Sequence, residues 1–130
     1  MSVGLLLVTH EGIGRPMLAA AERLLRQLPL KSGVYELPFD LDPQTALPLA
    51  SAELRKVDEG DGVLVLTDVY GASPSNLAAQ LVRLGTPAKR VAGVSLPMVL
   101  RVMNYADHDL AGLQSIASVG GRNGVVLDEG

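Results

Sequence analysis

Two short stretches place chemistry-bearing side chains at the ends of apolar runs. In VTHEG, His10 follows the run that begins at Val3, and in LTDVYGASPSN, Asp68 closes the run from Gly62 and precedes a loop of small residues. An imidazole with one bare ring nitrogen is a nucleophile toward phosphorus. A carboxylate on the other nitrogen fixes that tautomer and stabilises the cationic ring formed on attack. The transferred phosphoryl spreads its charge over three oxygens, which backbone N–H groups at the mouth of a helix stabilise without a cation. Gly71, Ala72 and Ser73 offer such groups, with side chains small enough to leave the backbone open. Thr9 and Ser73 could add hydroxyl donors, although each has a simpler role as a strand-end residue and a helix cap. Tyr70 adjoins Asp68 as a wall of the site or a partner contact, and Arg15 is placed to steer an incoming phosphate. Taken singly, a loop histidine or a turn-forming aspartate is unremarkable chemistry. Taken together, they describe an anion site beside an imidazole.

These residues can meet only if the chain folds suitably. Val3 to Thr9, Gly33 to Phe39, Gly62 to Asp68 and Arg90 to Leu96 read as strands, and the first, third and fourth lack the alternation of a half-exposed strand. Between them lie helical patterns. In PMLAAAERLLRQL the apolar residues Met17, Leu18, Ala21, Leu24, Leu25 and Leu28 recur at helical spacing. Asp42-Pro43 reads as cap and first position of a second helix, with Pro48 either near its true start or inside it as a kink. Ser73-Pro74 repeats the cap-and-proline signal, Pro97 opens a short helix through Met103, and a last helix runs from Leu110 to Val119 before Gly120-Gly121 and the run Val125 to Leu127. Strands alternating with helices imply right-handed crossovers, hence an open, mostly parallel α/β sheet with helices on both faces. In the order 2-1-3-4 the topological switch point falls between strands 1 and 3, where such sheets bind ligands. His10 and Asp68, fifty-eight positions apart in the chain, would then face each other across it.

Composition narrows the alternatives. The 130 residues are expected to form one domain, 1–130, large enough for a core of its own. The absence of cysteine removes thiol catalysis and thiolate metal sites, and two histidines do not make a histidine-rich metal site, so no metal is expected. A net charge of -3 with scattered basic residues speaks against nucleic acid. The apolar start is too short to span a bilayer and lacks a basic leader, which points to a cytoplasmic protein with at most an indirect membrane connection. A hydroxyl-rich flavin loop, the acidic pair of a receiver domain and a GxxxxGK[ST] nucleotide loop are all missing. His108, between two aspartates, reads as a solvated or capping residue.

VTHEG, LTDVYGASPSN and VAGVSLPM together resemble the IIA component of the mannose family of the bacterial phosphoenolpyruvate-dependent sugar phosphotransferase system. The likeness spans nearly the whole chain, and the middle motif is its most specific part. It implies that His10 is phosphorylated on Nε2, that Asp68 is its hydrogen-bonded partner and that the 71–73 loop receives the phosphate. It further implies a phosphotransferase without a cofactor, taking phosphate from the histidine-containing phosphocarrier protein and passing it to a IIB component. It also implies a homodimer in which Val125 to Leu127 join the partner's sheet. Ser95 stands where the family usually has asparagine. No IIB domain follows in the 130 residues, so the expected acceptor is a separate IIB protein or, in a truncated chain of carriers, a regulatory target. A non-catalytic module holding a small anion is the alternative from another class.

Overall fold

The structure, a computed structural model, describes residues 2–129. Nine elements follow in chain order: β1 (Gly4–His10), α1 (Gly14–Leu25), β2 (Ser32–Leu37), α2 (Pro43–Val57), β3 (Val63–Thr67), α3 (Ser73–Leu81), β4 (Ala88–Ala92), α4 (Leu96–Asn104) and α5 (Leu110–Asn123). The four strands are parallel and ordered β2-β1-β3-β4, the expected arrangement. Because β1 and β3 sit in the middle, both their faces must be apolar. Leu5, Leu7, Leu64 and Leu66 pack under α1, α4 and α5, while Leu6, Val8, Val63 and Val65 pack under α2 and α3. All eight are fully buried, and truncating any one of these leucines to alanine should cost about 2–5 kcal/mol. This sandwiched pair of strands gives β1 and β3 the rigid ends that carry His10 and Asp68.

Several boundaries differ from the sequence expectation, each for a local reason. β4 runs from Ala88 to Ala92 rather than over the run Arg90 to Leu96, and it ends early because the N–H groups of Gly93 and Val94 turn back to the Thr67 carbonyl. Ser95 then caps α4, its hydroxyl accepting from the Met98 N–H at 3.3 Å. Asp42 caps α2 by accepting from the Gln44 N–H, so the helix starts at Pro43 and Pro48 lies inside it. α5 runs through Gly120 and Gly121 rather than stopping there. A Cβ on Gly120 would come within 2.6 Å of the Arg101 side chain, and one on Gly121 within 2.7 Å of the Met98 side chain. These glycines are packing residues that let α4 and α5 approach, not a helix stop. Val125, Val126 and Leu127 form no strand with their own sheet and are 83%, 79% and 95% exposed.

Candidate active site

His10 is the last residue of β1, and Asp68 the first residue beyond β3. The parallel pairing of β1 with β3 sets Val8 beside Thr67. The next residues of each strand therefore overhang the same end of the sheet, at the switch point. There the Asp68 carboxylate gathers three donors. Its Oδ2 accepts from the His10 backbone N–H at 2.8 Å and lies 2.7 Å from His10 Nδ1, and its Oδ1 accepts from the Val69 N–H at 3.0 Å. Burial alone would push this carboxyl up, but the His10 backbone N–H, the imidazole and the Val69 N–H outweigh it and hold Asp68 below the ordinary aspartate range. An ionised Asp68 is an acceptor only, so the neutral tautomer that fits this contact has its proton on Nδ1 and its lone pair on Nε2. Asp68 is 9% exposed in its side chain and His10 26%, so the anchor is covered while the ring still reaches solvent.

Two helix mouths flank the imidazole. At α1, Thr9 is fully buried; its hydroxyl donates to the His10 carbonyl at 2.8 Å and accepts from the Gly14 N–H at 2.9 Å. Glu36, beside Thr9 in the β1–β2 register, accepts from the Gly12 N–H at 3.0 Å and from the Arg15 N–H at 2.8 Å. The Arg15 guanidinium adds an ion pair at 3.2 Å. Burial raises the Glu36 carboxyl, and the backbone N–H groups of Arg15 and Gly12 together with the Arg15 charge bring it below the ordinary glutamate range. At α3 the arrangement is the reverse. The N–H groups of Gly71 and Ser73 meet no acceptor among the described residues, and Gly71, at φ +89, has open space where a Cβ would stand. The helix cap is Ala72 rather than Ser73, so the Ser73 hydroxyl makes no capping bond. Asn76 steadies the loop by donating to the Gly71 carbonyl at 3.3 Å.

A hollow of about 110 Å³ opens between His10, Ser73 and the apolar residues Leu37, Pro38, Phe39 and Leu41. That is room for a few waters or one phosphoryl-sized anion. A larger hollow of about 410 Å³, lined by Ser2, Asp61 and His108 among others, lies at the opposite ends of the strands, away from this chemistry.

The sequence-predicted residues separate into two groups. His10, Asp68 and Ser73 come together at the switch point, with Gly71 and Ala72 in the loop that leads into Ser73. Thr9 commits its hydroxyl to the backbone and Arg15 its guanidinium to Glu36, so both brace the site from behind α1. Tyr70 is exposed beside the loop, with the Arg90 guanidinium 5.2 Å from its ring centre. Arg90 also donates to the Ser75 carbonyl at 2.8 Å, tying β4 to the first turn of α3. His108 packs edge-on to Tyr105, and the cap of α5 is its neighbour Asp109. Glu36 and Phe39 were not foreseen. Glu36 had a signal, as the one charge in the apolar stretch GVYELPF. Phe39, the chain's single phenylalanine, stands at the end of that stretch with its ring stacked on His10.

Residues 4–118 match the family model EIIA-man, described as PTS system fructose IIA component. The chain belongs to this family of phosphotransferase-system IIA components. It is 30% identical over 127 residues to the PTS system mannose-specific EIIAB component of Escherichia coli, covering 96% of this chain and 39% of that relative. The chain thus spans well under half the length of that protein. It is also 29% identical over 113 residues to the transcriptional regulatory protein LevR of Bacillus subtilis, covering 83% of this chain and 12% of the regulator. Among solved structures, a mannose/sorbose specific IIA subunit from Enterococcus faecalis superposes with a TM-score of 0.87 at 19% identity, over 99% of this chain and 96% of the other. The IIA fold is shared across that distance. No helix among the described residues is long and apolar enough to cross a membrane.

Proposed function

We propose that His10 is a phosphorylated carrier residue, receiving a phosphoryl group on Nε2 from the histidine-containing phosphocarrier protein and passing it to a separate IIB component for sugar uptake. The observation that carries this reading is the 2.7 Å contact between His10 Nδ1 and the Asp68 carboxylate, which leaves Nε2 as the bare nitrogen. In the forward step Nε2 bonds to phosphorus while the donor's P–N bond breaks and its electron pair returns to the donor ring. The His10 ring becomes cationic, keeps its Nδ1 proton, and is stabilised by Asp68. The incoming phosphoryl lies toward the loop of Gly71, Ala72 and Ser73, where the N–H groups of Gly71 and Ser73 meet no acceptor among the described residues and Ser73 lines the hollow beside His10. Exposed Phe39, Val69 and Tyr70 supply an apolar docking rim for a partner that must exclude water during transfer. The reading includes one IIA domain across 1–130, a cytoplasmic setting, and a homodimer in which Val125 to Leu127 add to the free edge of the partner's β4.

The regulatory alternative shares the first step and differs in its acceptor, a target controlled through phosphorylation-dependent contacts. Its support is the likeness to the Bacillus subtilis regulator. Intact-protein mass spectrometry after incubation with phosphoenolpyruvate, enzyme I and the phosphocarrier, at neutral or alkaline pH, tests the common step. One phosphate is expected on wild type and on His108→Ala, and none on His10→Ala. A folded wild type that stays unmodified beside an active donor would leave the anion-binding module as the better account.

A further inference from the structure

We propose that Phe39 sets the lifetime of the phosphorylated His10, holding the imidazole plane and screening the phosphoryl from water; the proposal rests on the carrier reading above. Phe39 follows β2 on the rim of the hollow, and its ring lies nearly parallel to the imidazole, with centroids 5.4 Å apart and planes inclined by 23°. Asp68 holds the ring at one edge, at Nδ1, and a stacked aromatic surface supports its face. Phe39 is 75% exposed, so burial in a core does not explain its position. Its backbone N–H donates to Glu11 Oε1 at 3.4 Å, a link between its loop and the segment directly after His10.

The lining of the hollow says what the ring does there. The side chains of Leu37, Pro38, Phe39 and Leu41 are apolar and cannot activate a water, while the polar part of the lining comes from His10, from backbone groups and from Ser73, the one hydroxyl among the lining residues. Hydrolysis of the phosphohistidine requires a water oxygen to bond to phosphorus as the P–Nε2 bond breaks, the electron pair returning to the ring. The products are a neutral imidazole, with its Nδ1 proton, and dihydrogen phosphate, which ionises in solution. With Phe39 in place, the aromatic ring is a wall across one line of approach for that water beside the phosphoryl. A docking partner covers the same wall and brings its own nucleophile, so the ring suppresses wasteful loss without blocking transfer.

The test removes the need for a particular donor. In a His108→Ala background His10 is the one remaining histidine, and potassium phosphoramidate loads it chemically, ammonia leaving as the P–N bond breaks. After the reagent is removed, loss of phosphate is followed by intact mass and phosphorus NMR for Phe39, Phe39→Ala, Phe39→Leu and Phe39→Tyr. Phe39→Ala is expected to lose phosphate about threefold to tenfold faster, the factor that one aromatic stacking contact is worth. Phe39→Leu should be intermediate, and Phe39→Tyr should match the parent, since it restores the ring. Because the side chain is mostly in solvent, none of these variants should unfold, which thermal melting checks. Equal loss rates in all four proteins, with only the KM for a protein donor raised in Phe39→Ala, would make Phe39 a docking residue and overturn the proposal. Failure of His10 to load in the folded parent would overturn the carrier reading itself.

Discussion

The mouths of α1 and α3 stand on either side of His10, and the chain treats them in opposite ways. At α1, the N–H groups of Gly12, Gly14 and Arg15 are taken by Glu36 and Thr9. At α3, those of Gly71 and Ser73 are left without an acceptor among the described residues. Either mouth of this fold can hold an anion, because aligned peptide dipoles and unpaired N–H groups concentrate positive potential there. A carboxylate built into the protein has closed the first and left the second. The arrangement gives a phosphoryl on Nε2 one place to go, and it makes the β1–α1 turn rigid where the nucleophile is held.

The largest expected effect comes from breaking the anchor that both sides share. In Asp68→Asn the amide can donate as well as accept, so it no longer forces the proton onto Nδ1, and Nε2 loses its guaranteed lone pair. Phosphoryl transfer should fall by about a hundredfold or more, the scale of a misplaced proton in acid–base chemistry. Single-turnover loading from a phosphorylated donor measures it, and a loss under threefold would mean that Asp68 only braces the loop.

Next comes a direct attack on the difference between the two mouths. Glu36→Ala should cost about 2 kcal/mol in urea unfolding, because it strips an ionised acceptor from two backbone donors and a guanidinium. It should also open α1 to ligand. Inorganic phosphate is expected to shift the amide signals of Gly71 and Ser73 in the wild type, and those of Gly12 and Arg15 as well in the variant. Equal shifts at both mouths in the wild type would dissolve the contrast. Acid behaviour sharpens it. Asp68 and Glu36 both have folded-state carboxyls below their ordinary values, so their contribution is complete above the usual carboxylate range near pH 4. It disappears as pH falls through the lowered folded values. Unfolding midpoints measured downward from pH 7 should therefore drop on the acid side, and drop less steeply in Glu36→Gln and in Asp68→Asn.

A matched pair of glycines separates strain from chemistry. Gly12 at φ +90 and Gly71 at φ +89 both have open space where a Cβ would be. Alanine at either position should cost about 1–2 kcal/mol of stability through backbone strain, read from the thermal midpoint. Only Gly71→Ala should slow phosphoryl transfer, since only its mouth is open to the phosphate. A similar rate loss in both would mean that loop order, not anion binding, is what these residues supply.

Part of this contrast was legible in the sequence. Two central strands without polar alternation announced a parallel sheet, and that sheet has a fixed place for ligands, so the ends at His10 and Asp68 identified themselves. The open mouth was legible too, from the small residues 71–73. The closed one was not, because Glu36 becomes relevant only through the pairing that sets it beside Thr9, a contact between strands that no local pattern encodes. Ser95 misled for a related reason. An apolar run continues through it, but a turn at Gly93 ends the strand first and converts the serine into a helix cap.

The smallest effect is expected at Ser73, and it tests the assignment of the open mouth most finely. Had this serine capped α3, replacing it with alanine would cost about 1 kcal/mol of stability and blur any kinetic result. The cap is Ala72, and Ser73 lines the hollow beside His10 without making a capping bond. Ser73→Ala should therefore melt within about 0.5 kcal/mol of the wild type, as a substitution that removes no folded-state interaction does. Its transfer rate should nevertheless fall about threefold to tenfold, the net worth of one ordinary hydrogen bond. Stability and rate have to part company in that way if the hydroxyl acts only on the bound group. A variant that loses stability and keeps its rate would return Ser73 to the role of a cap and leave the phosphate to the backbone N–H groups alone.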